Sequence, residues 1–183
     1  MRKDNRMGKI LDGEKVFLRP IQMKDTSLIV KWRNNKNVRR NFVFQETFTN
    51  EMHENWMRTR VASGDVVQYI IVVKEDNFPI GSVYFRDIDS KNRSAEYGIF
   101  VGEDLARGKG YGSETSRLFV NYGLSELHLH RIMLRVFADN LQAIQSYHNA
   151  GFRKEGVARD MVYQNGQYRD MVFMSIIDGE RNV

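Results

Sequence analysis

Three glycines at alternate positions form a short loop of a kind that binds anions. The loop has the sequence Arg107-Gly108-Lys109-Gly110-Tyr111-Gly112 and lies between a strand pattern and a helix pattern. Glycines let the backbone bend so that successive N–H groups converge, and a helix that begins directly after them adds the positive end of its dipole. With the charges of Arg107 and Lys109, this arrangement predicts a site for a pyrophosphate.

Two other kinds of phosphate-binding loop fit the residues less well. A dinucleotide fingerprint needs a glycine where this chain has Ser113, and a P-loop needs Ser or Thr where it has Gly110. Taken alone, the loop is also compatible with a flexible surface turn. The neighbouring sequence decides between these alternatives.

A second motif runs from Asn140 through Tyr147 to Gly151-Phe152, about 30 residues after the glycine loop. The glycine loop matches the pattern [RQ]-x-x-G-x-[GA] of the GNAT superfamily of acetyltransferases, and the Asn…Tyr…Gly-Phe stretch resembles that superfamily's other signature. Leu18-Arg19-Pro20 resembles its opening strand. The two signatures occur here in the superfamily's order, and the chain is therefore identified as a suspected member.

The resemblance covers about residues 15 to 177 and extends to one branch of the superfamily. Ala95-Glu96-Tyr97-Gly98 and Gly110-Tyr111-Gly112-Ser113-Glu114 are similar to the branch that contains ribosomal-protein N-terminal and spermidine acetyltransferases. This implies an acetyl-CoA-dependent N-acetyltransferase that acts on a primary amine through a ternary complex. The amine expected is a protein N-terminus, an amino-sugar nucleotide or another small amine.

The resemblance also implies which residues bind acetyl-CoA. The backbone of β-strand residues 99–101 should contact the pantetheine arm, and Asn140 should contact it as well as cap its helix. The implied acetyl-CoA site consists of Ile99, Phe100, Val101, Arg107, Gly108, Lys109, Gly110, Tyr111, Gly112, Ser113, Asn140 and Tyr147.

Two side chains are candidates for proton transfer. Acyl transfer to an amine needs a neutral nucleophile, a donor for the oxyanion and a proton for the leaving thiolate. The phenol of Tyr147 is protonated at neutral pH, and the resemblance places it beside the thiol of CoA. Glu96 is the candidate general base, acting through water, or alternatively a structural carboxylate. Its neighbours Ala95 and Tyr97 should face the other side of the sheet.

The order of patterns is strand, two helices, three strands, helix, strand, helix, two strands. This predicts an α/β fold with a mixed, mostly antiparallel sheet of about seven strands and about four helices on its two faces. Asp25, Thr49 and Asn140 are predicted to cap helices, and Asn165-Gly166 to form a hairpin turn. Residues 1–14 should be flexible and residues 15–180 should form one domain.

Composition excludes several classes of protein. The chain of 183 residues has no cysteine, so disulfides, thiolate catalysis and cysteine metal sites are absent. No apolar run approaches the ~20 residues that span a bilayer, and a cytoplasmic location is expected. His128 and His130 alternate before a strand without the carboxylates that would complete a metal site, so no metal is expected.

The acceptor is expected to be anionic. Residues 31–40 contain Lys31, Arg33, Lys36, Arg39 and Arg40 but no acid, and this region should border the acceptor in the superfamily. A basic rim favours a phosphate-bearing or other anionic amine over a polyamine, although such charges are also common on a solvated helix end. Trp32-Arg33-Asn34, Val38-Arg39 and His53-x-x-Trp56 also resemble acetyltransferases that modify amino-sugar nucleotides.

Two other classes of function stay open at this point. One is a non-catalytic module that binds acetyl-CoA, which the presence of Tyr147 disfavours. The other is a ribosome-associated protein that contacts RNA: a net charge of +5 permits this, but the chain has no RNA-binding motif, so nucleic acid is not an expected partner. A homodimer is expected by analogy with the superfamily.

Overall fold

The computed structural model describes residues 8–180. One eight-stranded sheet runs through them in the order β1-β2-β3-β4-β5-β6-β8-β7. The strands are β1 (Leu11–Asp12), β2 (Val16–Pro20), β3 (Val67–Val73), β4 (Phe78–Asp89), β5 (Ser94–Val101), β6 (Arg131–Phe137), β7 (Arg153–Gln164) and β8 (Gln167–Ile177). The helices are α1 (Thr26–Asn34), α2 (Lys36–Arg39), α3 (Asn50–Trp56), α4 (Tyr111–Ser125) and α5 (Leu141–Asn149). Neighbouring strands are antiparallel except β5 and β6, which are parallel.

This mixed, mostly antiparallel sheet confirms the predicted fold, with one strand and one helix more than expected. The additional strand is β1, in which Leu11 pairs with Leu18 of β2. It falls in the segment predicted to be flexible, of which residues 1–7 lie outside the described residues. The additional helix is the single turn α2, where the side chain of Asn35 accepts a hydrogen bond from the N–H of Asn37 at 2.8 Å.

Both faces of the sheet are covered, which explains the continuous apolar run of β3. Every residue of β3 is buried. Tyr69 and Ile71 pack into the core on the α4 side, whereas Ile70 and Val72 pack into the core that contains Trp32 of α1. Alternation puts successive side chains on opposite faces, so a strand covered on both sides needs apolar residues throughout.

The helix starts follow the predicted caps in two cases of three. The side chain of Thr49 accepts from the N–H of Met52 at 3.2 Å, and that of Asn140 accepts from the N–H of Ala143 at 3.2 Å. Asp25 precedes α1 as predicted, but its carboxylate forms no bond to that helix. It binds the guanidinium of Arg19 at 2.7 Å instead, because a buried carboxylate gains more from a charged donor.

Two further observations complete the architecture. Asn165 and Gly166 have φ values of 53° and 82° at the turn between β7 and β8, which confirms the predicted hairpin. The longest helix, α4, has 15 residues, and none of the helices in residues 8–180 is long and apolar enough to cross a bilayer.

Candidate active site

The central strands β5 and β6 separate soon after they meet. Their parallel pairing joins residues 94–96 to residues 131–133 only, although both strands continue well beyond. From residue 97 to residue 101, the edge of β5 that faces β6 therefore has no strand partner. Since strand N–H and C=O groups need hydrogen-bond partners, this edge is available to a ligand.

A cavity of about 1220 Å³ opens where the strands separate. All but one of the predicted site residues line it: Glu96, Ile99, Phe100, Val101, Arg107, Gly108, Gly110, Tyr111, Gly112, Ser113, Asn140 and Tyr147. The exception is Lys109, which borders a separate surface hollow with Lys15 and Lys74. The structure thus brings together residues that lie up to 51 positions apart in the sequence, from Glu96 to Tyr147.

The glycine loop leads directly into the first turn of α4. Gly108 and Gly110 have φ values of +75° and +83°, a backbone conformation that favours glycine. Gly110 is the N-cap and has no side chain to cap the helix. The first helical bond runs from the N–H of Glu114 to the carbonyl of Gly110 at 3.1 Å, so the N–H groups of residues 111–113 have no helical acceptor. These donors, together with the helix dipole, favour a negative charge, and they lie at the edge of the cavity.

The two cations of the loop do not both face the cavity. The guanidinium of Arg107 donates to the carbonyl of Val101 at 3.1 Å and pairs with Asp104 at 3.2 Å. Arg107 therefore ties the end of β5 to the loop. Since Lys109 lies outside the cavity, the anion site depends on main-chain N–H groups more than on the charges that the sequence suggested.

Helix α5 forms the opposite wall of the cavity. Asn140 caps it and also donates to the side-chain oxygen of Asn41 at 3.2 Å, which links α5 to the loop after α2. Ser146 bonds to Ser113 of α4 through their hydroxyls at 3.1 Å. The first turn of α4 is therefore held against the second half of α5 beside the opening of the sheet.

Tyr147 projects from α5 into an aromatic setting. Its ring packs edge-on against Tyr97 and Phe152, with centroids 6.1 and 5.9 Å away. Burial, followed by the proximity of Tyr84, raises the pKa of Tyr147 above its ordinary value. The phenol is therefore protonated throughout the neutral range and lines the cavity as a proton donor.

Glu96 lies on the cavity side of β5, as alternation predicts, while Ala95 and Tyr97 are buried in the opposite core. Arg86 donates to one of its carboxylate oxygens at 2.6 Å, and Arg135 donates to both, the shorter contact being 3.0 Å. The three side chains come from adjacent strands β4, β5 and β6. They form an ion-paired cluster that the sequence analysis did not anticipate.

Tyr84 is a further cavity residue that the sequence analysis missed. A Cβ at Gly98 would lie only 2.3 Å from the Tyr84 ring, so glycine at 98 makes room for this ring across the strand pair. The pKa of Tyr84 is raised, and burial is the largest cause. The positive charges of nearby Arg86 and Arg33 act to lower this pKa but do not outweigh burial. The signal in the sequence is Gly98 within a strand pattern, which indicates close approach by a neighbouring group, whereas its pairing with Tyr84 is visible only in the structure.

The basic stretch of residues 31–40 divides between the cavity and the outer surface. Arg33 and Arg40 line the cavity, whereas Lys36 and Arg39 do not. Lys31 is exposed and pairs with Glu103 at 2.6 Å. Only part of the predicted basic rim therefore faces the cavity.

His53 is a buried residue that lines the cavity, and its Nδ1 lies 2.9 Å from the hydroxyl of Thr26. That hydroxyl donates to the carbonyl of Met23 at 2.8 Å, so it accepts from Nδ1–H and leaves Nε2 unprotonated. Burial lowers the pKa of His53, and its Nε2 has no hydrogen-bond partner. His53 belongs to no metal site, because residues 8–180 contain no group of three or more potential metal ligands.

Comparison with known proteins agrees with this geometry. The family model described as an acetyltransferase (GNAT) domain matches residues 15–153. Spermidine N(1)-acetyltransferase of Escherichia coli K12 is 28% identical over 166 residues, covering 88% of this chain and 85% of that protein. YoaA of Bacillus subtilis, an uncharacterised N-acetyltransferase, is 30% identical over 174 residues, covering 93% of this chain and 98% of YoaA.

The fold agrees with a solved structure as well. The crystal structure of spermidine N-acetyltransferase from Vibrio cholerae in complex with CoA and spermine superposes with a TM-score of 0.85 at 24% identity, covering 91% of this chain and 97% of that one. The glycine loop, the separated strands and the family match point to one conclusion. The chain belongs to the GNAT family of acetyltransferases: it is an N-acetyltransferase, and acetyl-CoA is its cosubstrate.

Proposed function

We propose that this enzyme acetylates a primary amine by direct attack on acetyl-CoA, with both substrates bound in the one cavity. The observation that carries the proposal is the meeting of three features there: the unpaired edge of β5, the free N–H groups at the start of α4, and the phenol of Tyr147. Each of them supplies one requirement of acyl transfer from a thioester.

The residues present fit the acetyl donor. The N–H groups of residues 111–113 and the dipole of α4 suit the diphosphate, and a Cβ at Gly108 or Gly110 would meet no protein atom within 4 Å, so space for a ligand is open there. The unpaired edge of β5 from residue 97 to residue 101 suits the amide groups of the pantetheine arm, which pair as a strand would. An N–H of this edge would polarise the acetyl carbonyl.

Tyr147 is proposed to protonate the departing thiolate. The neutral amine forms the new C–N bond, the C–S bond breaks, and the sulfur takes the phenolic proton. The proton that the amine loses leaves through solvent and restores the phenol. The raised pKa of Tyr147 keeps its proton in place until the sulfur develops charge, as a general acid requires.

Glu96 is proposed to position its two arginines, with water accepting the amine proton. Both carboxylate oxygens already accept guanidinium bonds, which supports the structural alternative over the general base. Loss of these bonds would release two cations into the acceptor side of the cavity. A general base at this position stays a prediction that the Glu96→Gln variant tests below.

The experiment that tests the proposed function is a thiol-release assay with acetyl-CoA across protein N-terminal peptides, amino-sugar nucleotides, amino sugars and polyamines. Turnover with at least one amine is expected. Calorimetry with acetyl-CoA provides the control, because a non-catalytic binding module would give heat without thiol release. Absence of heat from a folded sample would contradict the assignment of the glycine loop and the β5 edge.

Two properties of the whole protein are also proposed. A cytoplasmic location follows from the need for acetyl-CoA. Self-association, for which we propose a homodimer, is supported by the dodecameric structure of a spermidine N-acetyltransferase from Vibrio cholerae and by exposed Met161 and Tyr163 on the edge strand β7. Analytical ultracentrifugation that gives the mass of a monomer at micromolar concentration would overturn the dimer.

A further inference from the structure

Arg33 is a half-buried cation without a counter-ion among the described residues. Its guanidinium lies over the ring of Phe42, 3.4 Å from the centroid, and 5.1 Å from that of Phe48. Its Nε is buried and has no hydrogen-bond partner. Burial lowers the pKa of Arg33, and nearby Arg86 lowers it as well. Among residues 8–180, no carboxylate forms an ion pair with it or contributes to that pKa.

Two other partly buried arginines each pair with a carboxylate. Arg19 has its own carboxylate, Asp25, at 2.7 Å, and Arg169 has Asp139 at 2.6 Å. Burying a charge without a partner is strongly unfavourable. An arginine that lines the active-site cavity without a carboxylate is therefore explained if a substrate supplies the missing anion.

Arg86 and Arg135 add to the positive charge beside Arg33. Both pair with the carboxylate of Glu96. The Nε of Arg86 also lies 3.7 Å from the carboxylate of Asp87, but Asp87 pairs more closely with Arg60, at 2.8 Å, and does not line the cavity. The cavity side of this cluster therefore retains an excess positive charge. Along the whole described cavity, the only carboxylate is that of Glu96, against five arginines: Arg33, Arg40, Arg86, Arg107 and Arg135.

Tyr84 lines the cavity together with these arginines and with Tyr147. Tyr84 and Arg86 lie two residues apart on β4, opposite Gly98 and Glu96 of β5, and alternation puts both side chains on the same face of the sheet. Burial raises the pKa of Tyr84, while the positive charges of Arg86 and Arg33 act to lower it. The three arginines therefore border the same cavity as the proposed proton donor.

We propose that the acceptor amine carries an anionic group, phosphate or carboxylate, that binds Arg33 together with Arg86 and Arg135. This inference rests on the proposed acetyltransferase function and narrows its substrate class. Guanidinium groups form paired, charge-assisted bonds with both anions. A polyamine has the same sign of charge as this region and is a poor substrate.

Matched pairs of amines test the inference in the thiol-release assay. Glucosamine is compared with glucosamine 6-phosphate, and an N-terminal dipeptide amide with the same dipeptide acid, with spermidine as the cationic reference. The anionic member of at least one pair is expected to have a kcat/KM about tenfold or more above its partner. The pair that responds distinguishes phosphate from carboxylate.

Variants of Arg33 supply the second comparison. Arg33→Gln is expected to raise the KM of the preferred anionic amine about tenfold or more, leaving the KM of its uncharged partner and the Kd for CoA unchanged. Arg33→Lys keeps the positive charge but loses the paired N–H donors of the guanidinium group. Its KM for the anionic amine should lie between those of the wild type and Arg33→Gln. Lys36→Gln, which removes an exposed charge of the same stretch outside the cavity, is the matched control and should resemble the wild type.

A binding measurement tests whether an anion binds at Arg33 even if none of these amines is acetylated. Inorganic pyrophosphate and, separately, succinate are titrated into protein saturated with CoA, so that the proposed donor site is already filled. Heat from the wild type with either anion that is lost in Arg33→Gln supports the inference. Absence of heat from the wild type with both anions, or a highest kcat/KM for spermidine that is unaffected by Arg33→Gln, overturns it. Failure of CoA itself to bind would instead contradict the proposed function.

Discussion

The two halves of the cavity are built in different ways. The half that we propose to bind the donor, called the donor half below, consists mostly of main-chain groups: the glycine loop, the first turn of α4 and the open edge of β5. The half that we propose to bind the acceptor, called the acceptor half, consists of side chains from α1, β4, β5 and β6, such as Arg33, Arg86 and Arg135. Main-chain groups are the same whatever residues carry them, whereas side chains differ in charge and shape. On this proposal the donor half is general and the acceptor half selective.

The largest effect is expected where the halves meet, at Tyr147. Tyr147→Phe removes the phenolic proton while keeping the ring between Tyr97 and Phe152. Loss of a general acid should lower kcat about 100-fold, with less than about a twofold change in the Kd for acetyl-CoA measured by calorimetry. Tyr163→Phe, at an exposed tyrosine of β7, is the control. An unchanged kcat in Tyr147→Phe would remove this residue from the chemistry.

The donor half is tested by a substitution in the glycine loop. Gly110 has a φ of +83°, so Gly110→Val strains the loop by about 1–2 kcal/mol and crowds the space of the diphosphate. The Kd for CoA should rise about tenfold. Gly64→Val imposes the same strain, at a φ of +86°, away from the cavity and should leave the Kd unaltered. Equal Kd values in both variants would mean that the loop does not hold the diphosphate.

The acceptor half is tested at Glu96. Glu96→Gln weakens the bonds to Arg86 and Arg135 and should raise the KM of the acceptor about fivefold, a moderate loss of charge-assisted bonding. The pH dependence of kcat should stay as in the wild type. The control is Glu155→Gln, because Glu155 pairs with Arg131 outside the cavity. A large fall in kcat with a shifted pH profile would establish Glu96 as the general base instead.

The smallest effect concerns stability and involves His53. Burial lowers its pKa, so below about pH 6.5 the unfolded chain binds a proton that the folded chain does not. The free energy of unfolding should therefore fall as the pH decreases from 7.5 to 5.5. Urea denaturation should give a shallower decrease for His53→Gln, by about 1 kcal/mol or less. The control is His130→Gln, because His130 is exposed. Equal dependence of the unfolding free energy on pH in His53→Gln and in the wild type would refute this account.

The difference between the two halves also explains which features could be predicted from the sequence. The glycine loop and the capped helix of Tyr147 are local patterns, and the sheet follows from the order of its strands, so all of them could be predicted. The cluster of Arg86, Glu96 and Arg135 depends on register across three strands, which spacing along the chain does not reveal. The orientation of Lys109 away from the cavity depends on how the loop bends and could not be predicted either.

The short junction between β5 and β6 has a consequence for the lifetime of the protein. Three residue pairs join the first five strands to the last three, fewer than at any other junction of the described sheet except the two pairs between β1 and β2 at its edge. A donor molecule bridging this gap stabilises the folded form in proportion to its own abundance. Resistance to proteolysis should accordingly increase with the concentration of acetyl-CoA. The enzyme would then be degraded most slowly when its cosubstrate is abundant.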